Sequence, residues 1–197
     1  MRLLLVLCVS YLLGAIPTGY LLTRVAVGVD VRERGSGSTG ATNVIRTAGR
    51  WAGAATLLLD AAKGTAAVLI ARWSGVQPAG PAEALALLAV VAGHVFPVTL
   101  GFRGGKGVAC TIGGALVFSP LAAGIGLAGL AGVVAATRWV SLGSLVFATL
   151  LPVAHLAVRG PSVELLPLLA ACLLVVVRHT GNIRRLMAGR EPRLGEG

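Results

Sequence analysis

With 197 residues, 56% of them hydrophobic and only 12% charged, the chain carries too little polar material to cover a soluble globule, and its length suits one bundle rather than two domains. The net charge of +10, from 17 Lys and Arg against 7 Asp and Glu, forms no stripe, and aromatics are only 5%, which argues against nucleic acid and for anionic lipid headgroups and phosphate ligands. Cys8, Cys110 and Cys172 are an odd set without ligand spacing in or beside apolar runs, so they read as packed hydrophobes and imply no metal, cofactor or disulfide framework.

In chain order, residues 3–23 form the first charge-free apolar run, about the length that a spanning helix needs. Arg2 ahead of it resembles the start of a secretory signal, but the run reaches spanning length and no small-residue cleavage site leads into a soluble domain. A polar stretch, residues 30–50, follows. Residues 51–71 span with Asp60 and Lys63 embedded, three apart on one helix face and expected to pair with each other or with polar groups in the bundle. Residues 84–102 lead to a second polar loop, with His94 near the helix end expected to bond to backbone. Residues 107–137 are overlong for one helix and should break at Ser119-Pro120, where proline removes a donor and disfavours helix in its predecessor. Residues 139–158, with His155 read as structural, and 161–177 complete the set. From about residue 178 the chain becomes a basic tail.

The break decides the charge balance. With it there are seven crossings, and Arg24, Arg32, Arg34, Arg46, Arg50, Arg103, Lys106, Arg138 and the arginines from Arg178 onward share one side, while Arg2, Arg72 and Arg159 take the other. The positive-inside rule then predicts an all-α integral membrane protein of seven transmembrane helices, N-terminus outside and C-terminus cytoplasmic, with residues 1–197 as a single domain. The segment 108–118 is short and would tilt or cross only part of the bilayer.

Three polar segments meet on the cytoplasmic side. Gly35, Gly37 and Gly40 satisfy G-x-G-x-x-G, with Asp60 about 20 residues on, but a dinucleotide site needs a strand before the glycines and Asp60 lies within an apolar helix. A flexible linker would explain the glycines but not Thr42, Asn43 and Arg46 straight after them. Gly105-Lys106 looks like the end of a P-loop, yet Leu100 and Gly107 stand where that motif needs Gly and Ser or Thr. What remains is a glycine turn with one lysine at a helix mouth, able to seat a phosphate without a nucleotide. In the third segment His179 and Asn182 lie three apart on an expected continuation of the last helix. The residues five beyond His94, His155 and His179 are Thr99, Gly160 and Arg184, so H-x-x-x-x-D is absent, as is G-x-S-x-G.

Taken together, Gly14-Ala15-Ile16-Pro17-Thr18-Gly19-Tyr20, the Gly-Ser-Gly-x-x-Gly-Ala-Thr-Asn-x-x-Arg stretch ending at Arg46, Asp60-x-x-Lys63-Gly64, Gly93-His94-x-Phe96-Pro97 with Gly104 to Gly107, and Arg178-His179-x-x-Asn182-Ile183 resemble the bacterial acyl-phosphate:glycerol-3-phosphate acyltransferase family, the PlsY type. The resemblance implies an enzyme of the bacterial cytoplasmic membrane that moves a fatty acyl group from long-chain acyl phosphate to the 1-hydroxyl of glycerol 3-phosphate, with its active site facing the cytoplasm. It implies catalytic roles for Ser36, Arg46, Lys106, His179 and Asn182. It implies substrate binding by Thr42, Asn43, Gly104, Gly105, Gly107, Ser141 and Glu191. Where the family commonly reads Gly-Asn-Pro-Gly, this chain reads Gly37-Ser38-Thr39-Gly40, which leaves the loop less pre-set. The rival function is a small organic-phosphate transporter or channel, which predicts a polar path through several helices and paired repeats.

Overall fold

In the computed structural model, which describes residues 1–196, all regular structure among those residues is helical. The first apolar run is one candidate span, Arg2–Val27, made of two helices, α1 (Arg2–Gly14) and α2 (Thr18–Val27). The break is at Pro17, which has no N–H to continue the ladder. At the break the carbonyl of Ile16 accepts from the Thr18 N–H at 3.0 Å and from the buried Lys63 ammonium. Helix α3 (Ala41–Ala48) is short, and α4 (Arg50–Trp73) carries Asp60 and Lys63. Helix α5 (Ala79–Val95) begins earlier than expected because Glu83, the charge that bounded the run, is neutralised by Arg72 at 2.8 Å. It stops before Phe96-Pro97, and a 3₁₀ turn covers Val98–Leu100.

The overlong apolar run does divide at Ser119-Pro120. Helix α6 (Val108–Phe118) ends there and α7 (Pro120–Thr137) starts with proline at its first position, where the missing N–H costs nothing. Helix α8 (Val140–Arg159) and α9 (Leu165–Arg178) follow. Helix α10 (Thr180–Met187) turns away from α9 by 54°, so the last helix does not continue straight into the tail.

Five helical segments are long and apolar enough to cross a membrane: Arg2–Val27, Arg50–Trp73, Ala79–Leu100, Pro120–Thr137 and Val140–Arg159; the bent α9–α10 pair passes the same test together, and α6 is apolar but shorter. Their packed faces are small and aliphatic, with Val68, Leu87, Val91, Phe147, Leu151 and Leu168 at the centre. Large apolar side chains such as Leu4, Leu58, Leu166 and Leu173 point outward, as expected where the surroundings are hydrocarbon rather than water. Small residues let helices approach closely: a Cβ on Gly64 of α4 would collide with the carbonyl of Cys110 on α6. That contact, with α5 against α9, brings the start of α6 beside the α9–α10 corner.

Candidate active site

The first loop is built around Asn43. Its amide nitrogen donates to the carbonyls of Val31, Arg34 and Ser38 at 2.9–3.0 Å, and its oxygen accepts from the Ser36 N–H at 2.9 Å. The side chain, 2% exposed, is therefore engaged within the loop and gives it its shape. Ser38 stands in place of the family's Asn, one before Thr39 in place of its proline, and its hydroxyl accepts from the Gly40 N–H at 3.3 Å, a local closure across the position that the proline ring would otherwise fix. Ser36 is exposed at the loop tip; Thr42 and Arg46 are half-buried on α3. Arg46 shares an open groove of about 460 Å³ with Val27, Val29, Arg34, Gly35 and Thr47. Arg32 fixes the loop to the next one by donating to the carbonyl of Leu100 at 3.2 Å.

The second loop departs from the simple picture of glycine N–H groups aimed at a phosphate. The N–H of Gly104 donates to Val95 O at 3.2 Å and that of Gly105 to His94 O at 3.1 Å. Their carbonyls accept from the Arg178 guanidinium at 3.3 and 3.2 Å. The absence of a side chain matters here for packing, because a Cβ on Gly105 would fall on the His94 ring. Gly107 has φ +84°, a left-handed conformation that caps the start of α6. The anion-attracting elements are thus Lys106 and the first-turn N–H groups of α6.

Lys106 Nζ donates to Asn182 Oδ1 at 2.7 Å. Asn182 Nδ2 donates to Glu191 Oε1 at 2.6 Å, and Arg185 Nε to Glu191 Oε2 at 2.7 Å. His179 is 2% exposed and its Nδ1–H donates to Val175 O at 2.7 Å, because a carbonyl can only accept. This leaves Nε2 as the acceptor of the neutral ring. Burial pushes the Lys106 ammonium down to about 8; Glu191 opposes that shift, while Arg185, Arg46 and Arg178 add to it. Burial would raise the Glu191 carboxyl, but the hydrogen bonds from Asn182 and Arg185, the neighbouring Ser141 hydroxyl and the Arg185 charge hold it below the usual range. The Ser141 hydroxyl is buried beside that carboxylate without a hydrogen bond of good geometry of its own.

The structure thus brings Lys106, Asn182, Glu191, Ser141 and His179 together, with Arg46 near enough for its charge to bear on Lys106. Ser36 and Thr42 stand on the first loop and its helix without a side-chain bond to that cluster. Arg185, which holds the carboxylate, was not singled out from sequence; Arg178, which fixes the second loop, stood in the motif that carries the resemblance but was given no role there.

Beneath the loops, Asp60 Oδ1 accepts from Lys63 Nζ at 2.7 Å and from Thr18 Oγ1 at 2.5 Å, and His94 Nδ1 lies 3.6 Å from it. So His94 faces a carboxylate, where a backbone partner was expected. Cys110 completes a buried group with Asp60 and His94, but a cation there would sit against the Lys63 ammonium. His155 stacks on Phe118 at 5.1 Å and pairs with Ser119 at 3.1 Å, consistent with a structural role.

Residues 4–189 match the family described as glycerol-3-phosphate acyltransferase. Glycerol-3-phosphate acyltransferases of Synechococcus sp. (strain CC9902) and Geobacter sulfurreducens are 46% and 47% identical, over 98% and 96% of this chain and 96% of each relative. The crystal structure of PlsY (YgiH), an integral membrane glycerol 3-phosphate acyltransferase, in its glycerol 3-phosphate form is similar with a TM-score of 0.92 and 35% identity, over 99% of this chain and 96% of that one. Its lysophosphatidic acid form gives a TM-score of 0.88 at 34% identity, over 98% and 95%. The helical bundle, the cationic loops and these matches over nearly the whole length agree: the chain belongs to the PlsY family of glycerol-3-phosphate acyltransferases.

Proposed function

We propose that this multi-pass membrane protein transfers a fatty acyl group from a long-chain acyl phosphate to the 1-hydroxyl of glycerol 3-phosphate, releasing lysophosphatidic acid and phosphate. The observation that carries the reading is the Lys106–Asn182–Glu191 chain beside His179, at the mouth of α6, in a member of a glycerol-3-phosphate acyltransferase family.

Acyl phosphate is a mixed anhydride with a good leaving group, so the site has to position a hydroxyl, neutralise two phosphates and stabilise an oxyanion. Lys106 and the first turn of α6 suit the acceptor phosphate; Arg46, with Ser36 and Thr42 on the first loop, suits the donor, and the Ser141 hydroxyl offers a further donor group. Asn43, Gly104 and Gly105 serve by shaping the loops, and Gly107 by starting α6. The hydroxyl oxygen attacks the acyl carbon, the carbon–oxygen bond to phosphate breaks, and the departing phosphate takes the hydroxyl proton. His179 Nε2 accepts a hydrogen bond from the acceptor and orients it.

The cation distribution supports seven crossings, N-terminus outside, with residues 1–197 as one domain whose basic tail from about 178 lies in the cytoplasm of a bacterial cell. A reporter fused after Arg138 should then read cytoplasmic, and an external reading would overturn that topology. The reaction is tested with the purified protein in lipid, palmitoyl phosphate and radiolabelled glycerol 3-phosphate, with acyl-CoA in parallel. Lysophosphatidic acid should form from acyl phosphate alone. Product from acyl-CoA would remove the donor assignment, and no product from either donor in folded protein would favour transport of an organic phosphate.

A further inference from the structure

After α10 the chain folds back. Leu194 N–H donates to Arg138 O at 2.7 Å, and the Arg138 guanidinium returns a bond to Leu194 O at 2.6 Å. Trp139 Nε1–H donates to the carbonyl of Glu191 at 3.1 Å, and the Arg193 guanidinium lies 5.6 Å from the centre of the Trp139 ring. Two residues between α7 and α8 thus hold the tail at both ends of the stretch that delivers Glu191. Arg138 is there at φ +63°, left-handed and unfavourable for an L residue, where glycine is the usual choice.

The Glu191 side chain in turn decides which way the Asn182 amide faces. A carboxylate accepts hydrogen bonds, so it takes the amide nitrogen and leaves the oxygen toward the Lys106 ammonium. If Glu191 were loose, the amide could turn its nitrogen to the lysine, donor against donor. We propose that Arg138 and Trp139 are positioning residues for acyl transfer: they clasp the tail so that Glu191 fixes Asn182, and Asn182 fixes Lys106. The inference rests on the acyltransferase reading above.

The charged and titratable groups facing Lys106 are Glu191, Arg185, Arg46, Arg178 and His179, and among them only Glu191 favours the ammonium. Loosening Glu191 therefore lets Lys106 lose its proton at lower pH.

The test compares Arg138→Gly, Trp139→Phe, their double variant, Glu191→Gln, and all three changes together, in lipid, against wild type. In the double variant kcat/KM for glycerol 3-phosphate should fall about 3- to 10-fold, the size of a lost hydrogen bond or two. The KM for palmitoyl phosphate should stay within about 2-fold, and the alkaline limb of the profile should move to lower pH, as in Glu191→Gln. Adding Glu191→Gln to the double variant should cost little more, because the effects act through one carboxylate. An unmoved pH profile, or effects that multiply with Glu191→Gln, would overturn the proposal. Arg138→Gly relieves a left-handed residue, so it carries the kinetic test even if the Trp139 variant folds poorly. Trypsin cleavage after Arg190 and Arg193 gives a readout without activity. It should quicken in the clasp variants, and unchanged cleavage counts against the clasp whether or not wild type transfers acyl groups.

Discussion

Lys106 and Asn182 meet through a 2.7 Å hydrogen bond across 76 positions of sequence, joining the mouth of α6 to the helix that follows α9. The ammonium is held at about 8, below its ordinary value of 10.5, chiefly by burial. A lysine is charged below its pKa, so an acceptor phosphate bound by Lys106 should hold well near neutrality and be lost as pH rises through about 8. A kcat/KM profile for glycerol 3-phosphate over pH 6 to 10 checks this. Lys106→Ala should raise the KM for glycerol 3-phosphate by about 10- to 100-fold, the range for a lost charge-assisted bond, and that for acyl phosphate far less. Equal effects on both substrates would remove Lys106 from the acceptor site.

Gly105 touches the His94 ring where a Cβ would have to go, and the same residue is tied to His94 through its backbone N–H. Gly105→Ala should push the loop off α5, at a cost of about 1–3 kcal/mol for overpacking, and displace Lys106 with it. The expected phenotype is a raised KM for glycerol 3-phosphate in protein that still folds. Gly105→Ala combined with His94→Ala, which clears the space, should recover part of the loss; no recovery would place the cause elsewhere.

The break at Pro120 and the order of the polar segments were legible because proline and charge mark the chain locally, whatever surrounds it. Helix α6 could be bounded from Gly107 and Ser119 alone. The roles of the glycines were not. That Gly104 and Gly105 donate to Val95 and His94 rather than to a ligand depends on how α5 ends beside them, and no residue type records it. The resemblance implied substrate binding for Asn43, but a motif match does not record which way a side chain faces; its four bonds lie within the loop. The return of the tail onto Trp139 depends on backbone carbonyls, which every sequence has, so it left no pattern to find.

Asn43→Asp separates shape from binding in the first loop. The substitution keeps an acceptor for the Ser36 N–H but sets a carboxylate against the three carbonyls that the amide nitrogen serves. Each unsatisfied buried group costs about 1–3 kcal/mol, enough to open the loop. Activity should fall by two orders of magnitude or more, with hydrogen exchange rising over residues 31–43 while the transmembrane helices stay protected. Lost activity without faster exchange in that stretch would instead make Asn43 a direct substrate ligand.

Asp60 and Lys63 form a buried pair, 2% and 7% exposed at the side chain, closed by the Thr18 hydroxyl and by the Ile16 carbonyl at the α1–α2 break. Neither residue reaches the Lys106 cluster by a hydrogen bond, so their contribution is to join α2 to α4 beneath the loops. Removing one partner strands the other charge. Asp60→Asn or Lys63→Met should therefore destabilise by about 3–5 kcal/mol, read as a large drop in melting temperature in detergent. Asp60→Asn with Lys63→Met removes both charges and should be milder than the sum of the single changes, since the stranded charge is the main penalty. Where the double variant folds, its KM for glycerol 3-phosphate should stay close to wild type; a large rise there would mean that the pair also tunes the phosphate site, through His94 at 3.6 Å from Asp60 and Gly105 against that ring.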